Sequence, residues 1–426
     1  MDDDLRKARE LAEAGDVGGL MRHLRFTAVR LAIGDTAPLV GRAAELMGFT
    51  DLVEAAAGVA ERPGHPQALY AYGYACIERG VAFLAIPALR AALAGEPGSL
   101  GILRELVAGL EDEHRHGEAV AVLAEHEADL PPWPDRYLLA YNALMAGDLD
   151  RAAAESAGLP VPDDERWLPA RDRLARMVER ARAAQAVGPL DDRDLRGWHF
   201  ALSGGVLATL SPYGFDQGMT GRYAYLSDDF GACLRGLLRL RTILEAAGRS
   251  PRAVALLPGR GDHALGLAAA QVLGLPGEPF APGRTDTVVV AYDLNEADGD
   301  VLEALFERLP GQVLYEHATC WTDPPPISAD VSALTCQTVV PPWGERLRYG
   351  PDGSVEKSPP DERGAEDLAA EILRADPAAD EGDGATPPDT DDVLARFVTG
   401  VAGVWAAGGT RDRVRSPGPV RSSRFI

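Results

Sequence analysis

The chain has 426 residues, 46% of them hydrophobic, with 65 acidic against 42 basic side chains and a formal net charge of −23. At roughly 150 residues per domain that length predicts two to three domains, and the hydrophobic fraction is enough for packed cores, so the chain is not disordered as a whole. So acidic a surface repels phosphate backbones and anionic lipid, which argues against nucleic-acid and membrane partners.

Residues 1–186 are rich in Ala, Leu, Glu and Arg, with apolar positions three and four apart, and predict helix throughout. The start, MDDDLRKARE, is acidic and has no apolar segment, so no secretory signal is expected there. Pro63, Pro97 and Pro131 recur every 34 residues, as do the pairs Ala85/Ala119 and Leu89/Leu123. The stretch from Gly73 through Ala85, Leu89 and Ala92 to Pro97 resembles the tetratricopeptide (TPR) pattern. The next unit keeps Ala119, Leu123 and Pro131 but has Val107 at the small position and His126 where an alanine belongs. A third, around Gly147-Asp148 and Ala152–Ala154, shortens towards Pro160, and the resemblance covers roughly residues 35–160. It implies stacked helix hairpins, an α-solenoid whose groove holds a peptide or protein segment. His114 and His116 fall at an expected inter-helix turn with no completing ligand set, so a solvated turn is expected and no metal. Trp167–Ala184 reads as an amphipathic helix capping the array, followed by a linker at Gly188–Asp192.

From Leu195 the pattern changes. Gly197–Gly205 and Ser211–Tyr225 are rich in glycine and aromatics without periodicity, which suggests a binding loop. There Tyr213, Tyr223 and Tyr225 could stack on a planar ligand while Arg222 holds an anion; alternatively these aromatics pack a domain junction. Phe230–Ala247 predicts an amphipathic helix, and Arg252–Leu257, Thr287–Ala291 and Gln312–Tyr315 predict buried strands separated by helices at Asp262–Leu273 and Gly299–Arg308. That alternation predicts a small Rossmann-like α/β domain with a parallel sheet, over residues 187–350.

In such sheets ligands sit beyond the carboxyl ends of the strands. The loops there would carry Arg260, Gly261, Asp262 and His263, then Asp293, then His317 and Cys320, all expected in one cleft. Arg260 and the N–H groups at Gly261 and Asp262 are the expected contacts for a small phosphorylated ligand. Asp262 and Asp293 could equally be helix caps. The layout VVVAYDLNEADGDVLEAL after a strand–loop–helix ending in LGLP resembles the type I phosphoribosyltransferases over about 65 residues. Tyr292 replaces the first acidic residue of that family's motif, and Glu296–Asp300 is too acidic for its phosphate loop, so the resemblance implies the fold and argues against the activity.

Beyond residue 350 an acidic, proline-broken linker, two short helices and five arginines within Arg411–Ile426 predict a flexible tail over 351–426. The only lysines are Lys7 and Lys357, which excludes Schiff-base, P-loop and kinase chemistry inside a folded site. Cys76, Cys233, Cys320 and Cys336 lack CxxC spacing and predict reduced thiols, neither disulfides nor a zinc site, in a cytoplasmic protein. Heavy Ala and Arg use fits a GC-rich bacterial coding sequence. The resulting expectation is a multi-domain α plus α/β adaptor whose repeats (1–186) bind a protein partner and whose sheet domain binds a ligand or is catalytically inactive, with no cofactor. The alternative is an enzyme acting on a nucleotide-like or phosphorylated small molecule.

Overall fold

The computed structural model describes residues 2–349, 355–414 and 416–422, in two compact units, Met1–Asp163 and Asp164–Ile426. The first is helical: α1 (Asp2–Glu13), α2 (Val17–Thr27), α3 (Ile33–Met47), α4 (Thr50–Glu61), α5 (Pro66–Glu78), α6 (Ala82–Gly95), α7 (Leu100–Asp112), α8 (His116–Glu125), α9 (Tyr137–Met145) and α10 (Leu149–Gly158). Helix starts carry side-chain caps, with Asp16, Ser99 and Asp148 each accepting from a backbone N–H three residues on. From α3 onward each helix packs on the next in the chain, and an apolar core runs continuously from Ala8 to Leu139. The recurring alanines Ala85 and Ala119 are fully buried, as is Ala152 of the third unit's alanine cluster. Gly73 lies so close to Leu89 that a Cβ there would sit 2.5 Å from its Cγ, which brings α5 and α6 together. The solvated-turn expectation fails for His116: it is buried, bonds Asn142 at 2.8 Å, and burial lowers its pKa.

The second unit contains α11 (Leu168–Gln185), α12 (Leu195–Ser203), β1 (Val206–Leu207), β2 (Tyr223–Ser227), α13 (Phe230–Ala246), β3 (Ala253–Leu256), α14 (Arg260–Leu273), β4 (Gly277–Pro279), β5 (Thr287–Ala291), α15 (Gly299–Phe306), β6 (Val313–Cys320) and β7 (Val331–Val340). An antiparallel ribbon, β8 (Arg346–Tyr349) and β9 (Val355–Ser358), and helices α16 (Ala365–Arg374) and α17 (Asp391–Val401) follow. Seven strands form a parallel sheet in the order β1-β7-β6-β5-β3-β4, with β2 also alongside β7. Strand order reverses between β3 and β5, the kind of switch point at whose carboxyl edge open α/β sheets bind ligands.

Four features depart from the sequence reading. Strand β6 does not stop at Tyr315 but runs to Cys320. Strand β7 was not anticipated at all. The glycine- and tyrosine-rich stretch read as a loop supplies α12, β1 and β2. Finally, α11 packs on α12 and α17 within the second unit, and α16 and α17 lie against α14 and α13. Asp389, in the acidic stretch before α17, pairs with Arg196 at 2.6 Å and Arg239 at 2.7 Å, both largely buried.

Candidate functional site

Two places in the second unit concentrate chemistry. At the carboxyl edge lies a cleft of about 590 Å³, lined by Asp293, Asn295, Glu296, Cys320, Asp323 and Cys336 among others. Cys320 and Cys336 are register partners on β6 and β7, so both thiols belong to one end of the sheet. Burial, with Glu296 nearby, pushes the Asp293 carboxyl up, although its side chain accepts from the Asn295 N–H at 2.9 Å.

The other expected site residues are placed as follows. Asp262 accepts from the Tyr292 N–H at 2.7 Å, and His263 Nδ1 lies 3.2 Å from the Leu257 carbonyl, so both fasten the loops at the ends of β3 and β5. Arg260 donates to the carbonyls of Asp361 and Arg363, and the Trp343 indole covers Gly261, where a Cβ would meet it at 2.6 Å. The start of α14 is therefore occupied by the chain's own groups. Arg222 is buried, donates to the Val420 carbonyl at 2.9 Å and lies over the Trp321 ring; burial lowers its pKa to about 10. Tyr213 is exposed and bonds Asp380.

Strand periodicity decides where Glu316 and His317 go. Side chains alternate across a sheet, so these neighbours face opposite sides of β6. Glu316 shares the face of Leu314, which packs with Leu294 and Leu305; it accepts from the Leu294 N–H at 2.9 Å, and burial pushes its pKa up to about 8. His317 shares the face of Tyr315, under α13.

On that face sits the second concentration, in which Asp228, Cys233, Tyr292, Tyr315 and His317 are all buried. Asp228 Oδ2 lies 3.0 Å from His317 Nε2, accepts from the Tyr292 hydroxyl at 2.8 Å and from the Cys233 thiol at 3.5 Å. Cys233 Sγ is 3.8 Å from His317 Nε2, and the Tyr315 hydroxyl is 3.1 Å from His317 Nδ1. Asp228 Oδ1 has no hydrogen-bond partner. Burial alone would raise the Asp228 pKa; the His317 charge and the bonds from His317 and Tyr292 outweigh it and hold the carboxyl low. Burial and the same carboxylate drive the Cys233 thiol well up. A Cβ at Gly236 of α13 would fall 2.4 Å from the Tyr315 hydroxyl, so glycine there admits the cluster beneath the helix.

Sequence reasoning missed Asp228 and Cys233. The available signal was the doublet Asp228-Asp229 before a helix: Asp229 alone caps α13, accepting from the Ala232 N–H at 2.8 Å, which leaves Asp228 free for another role. Comparison of the chain with models of known protein families and with curated proteins finds no match.

Proposed function

We propose that the protein is a scaffold whose helical unit, a TPR-like array, binds an arginine- or lysine-bearing segment of a protein partner. The observation that carries this reading is a stripe on α5 continued onto α7. Tyr70, Tyr74 and Glu78 are spaced four apart and so share one helix face. Tyr70 and Tyr74 have ring centroids 6.5 Å apart, and Tyr74 is exposed. Glu105 of α7 stands close enough to Tyr70 and Glu78 to perturb the first and be perturbed by the second; partial burial, then Glu78, raises its pKa. Neither Glu78 nor Glu105 has an ion pair among the described residues. A half-buried carboxylate without a cation, set beside tyrosine rings, favours a guanidinium or ammonium guest through charge pairing and cation–π contact. Residues 1–163 carry 26 acidic and 14 basic side chains, so the long-range field draws the same partner.

The test is fluorescence anisotropy with a labelled peptide of interspersed arginine and serine. Glu105→Gln and Tyr74→Ala should each weaken binding about tenfold, equivalent to about 1.4 kcal/mol. Equal binding by both variants and the unaltered chain would mean diffuse charge attraction and would sink this reading.

A second reading concerns the sheet-edge cleft. Among the described residues its lining includes the carboxylates of Asp293, Glu296 and Asp323, the last paired with Arg413 at 2.8 Å, and no Lys or Arg, which favours a small cationic ligand over a phosphorylated one.

A further inference from the structure

We propose that Asp228, Cys233 and His317 form a metal centre that takes one divalent ion, zinc by the chemistry of its donors, and pins the start of α13 to β6. The three donor atoms converge on one point. Their separations are 3.0 Å (His317 Nε2 to Asp228 Oδ2), 3.5 Å (Cys233 Sγ to Asp228 Oδ2) and 3.8 Å (Cys233 Sγ to His317 Nε2). A triangle with those edges has a circumradius of about 2.0 Å, against zinc bond lengths of about 2.0–2.1 Å to nitrogen and oxygen and about 2.3 Å to sulfur. An ion therefore fits among the three with adjustments of a few tenths of an ångström.

Hydrogen bonding alone accounts poorly for the arrangement. Tyr292, His317 and Cys233 all address Oδ2, while Oδ1 of the same fully buried carboxylate has no partner. An unpaired buried carboxylate oxygen is costly, and a metal held by both oxygens removes the cost and brings the donor atoms to four. The surroundings suit such a centre. The Tyr315 hydroxyl beside His317 Nδ1 fixes the ring orientation and leaves Nε2 for the metal. One thiolate, one imidazole and one carboxylate is a borderline donor set that suits zinc better than the hard cations. On binding, the Cys233 thiol proton leaves to solvent and a sulfur–metal bond replaces the S–H bond. With every donor buried, the ion enters as the unit folds, so the centre is structural.

The experiment uses the full chain produced in zinc- or cobalt-supplemented cells and purified without chelator or added thiol. Metal content is read by plasma mass spectrometry. The expected result is about one ion per chain, retained through gel filtration. The cobalt form should show visible bands of a four-coordinate ion and an ultraviolet thiolate-to-cobalt charge-transfer band. Cys233→Ala should lose the ion and that band, and Cys76→Ala should keep both. If Cys233→Ala does not fold, His317→Gln is read the same way, and the charge-transfer band of the unaltered chain still reports the thiolate. A chain holding under about a tenth of an equivalent of either metal would overturn the proposal. So would full metal content in folded Cys233→Ala.

Discussion

Asp262 joins a helix start to a strand end through its bond to the Tyr292 N–H, yet Asp293, Glu296 and Asp298 crowd the same loop. Burial first, and then these like charges, raise its pKa to about 6 against the hydrogen bond that lowers it. Between the ordinary carboxylate value and about 6 the folded chain holds the proton that the unfolded chain has released. Stability therefore falls as pH rises through that window and stays lower above it. Asp262→Asn keeps an acceptor for Tyr292 and removes the charge. It should raise unfolding stability at pH 7.5 by up to about 3 kcal/mol and change it little at pH 4. Urea titrations at the two pH values check this; equal effects at both would mean that charge is not the cause. Asp262 and Asp293 were legible from sequence as capable groups at strand ends. The partners of Asp228 were not, because His317 comes from a strand 89 positions away.

At the level of elements, the contact between α5 and α6 rests on the absence of a side chain at Gly73, which lies against Leu89. Gly73→Leu should destabilise the helical unit by about 2 kcal/mol or more through overpacking. Adding Leu89→Ala to it should recover part of that loss, a non-additivity that thermal circular dichroism can read. Simple addition of the two penalties would count against this packing. The helices could be read because every turn repeats the apolar period, and the 34-residue recurrence located hairpins at Pro66–Gly95 and Leu100–Glu125. The strands were harder. Strand β6 looked finished at Tyr315 because Glu316 and His317 are ionisable, whereas both are buried on opposite faces with dedicated partners. In β7, Ser332, Thr335 and Gln337 interrupt the apolar run; two of the three are buried nonetheless.

For the second unit as a whole, one buried carboxylate holds two arginines that come from different parts of the chain. Arg411 is fully buried and bonds Asp330 Oδ2 at 2.8 Å, while Arg308 holds Oδ1 at 2.7 Å. Arg411→Ala leaves Asp330 with half its compensation and should cost about 3–5 kcal/mol. Faster proteolysis of this unit and a lower unfolding midpoint are the expected readouts, and an unchanged midpoint would show that Arg308 suffices. Composition suggested a mobile tail here because acidic and basic runs without apolar periodicity ordinarily stay solvated. Nothing local to Asp389 reveals that Arg196 and Arg239, more than a hundred positions earlier, are its partners. The same wiring has a consequence for biosynthesis. Arg196, Arg222, Arg239 and Arg308 receive acceptors from Asp389, Val420 and Thr410, which are made well after the arginines themselves. Until those positions are made, part of each group's hydrogen-bonding capacity is left to water, although Arg196 and Arg239 already reach the Ala208 carbonyl and Arg308 reaches Asp330. A product released before residue 389 would lack the Asp389 carboxylate, and cellular quality control would meet a unit in which Arg196 and Arg239 have lost their buried counter-charge.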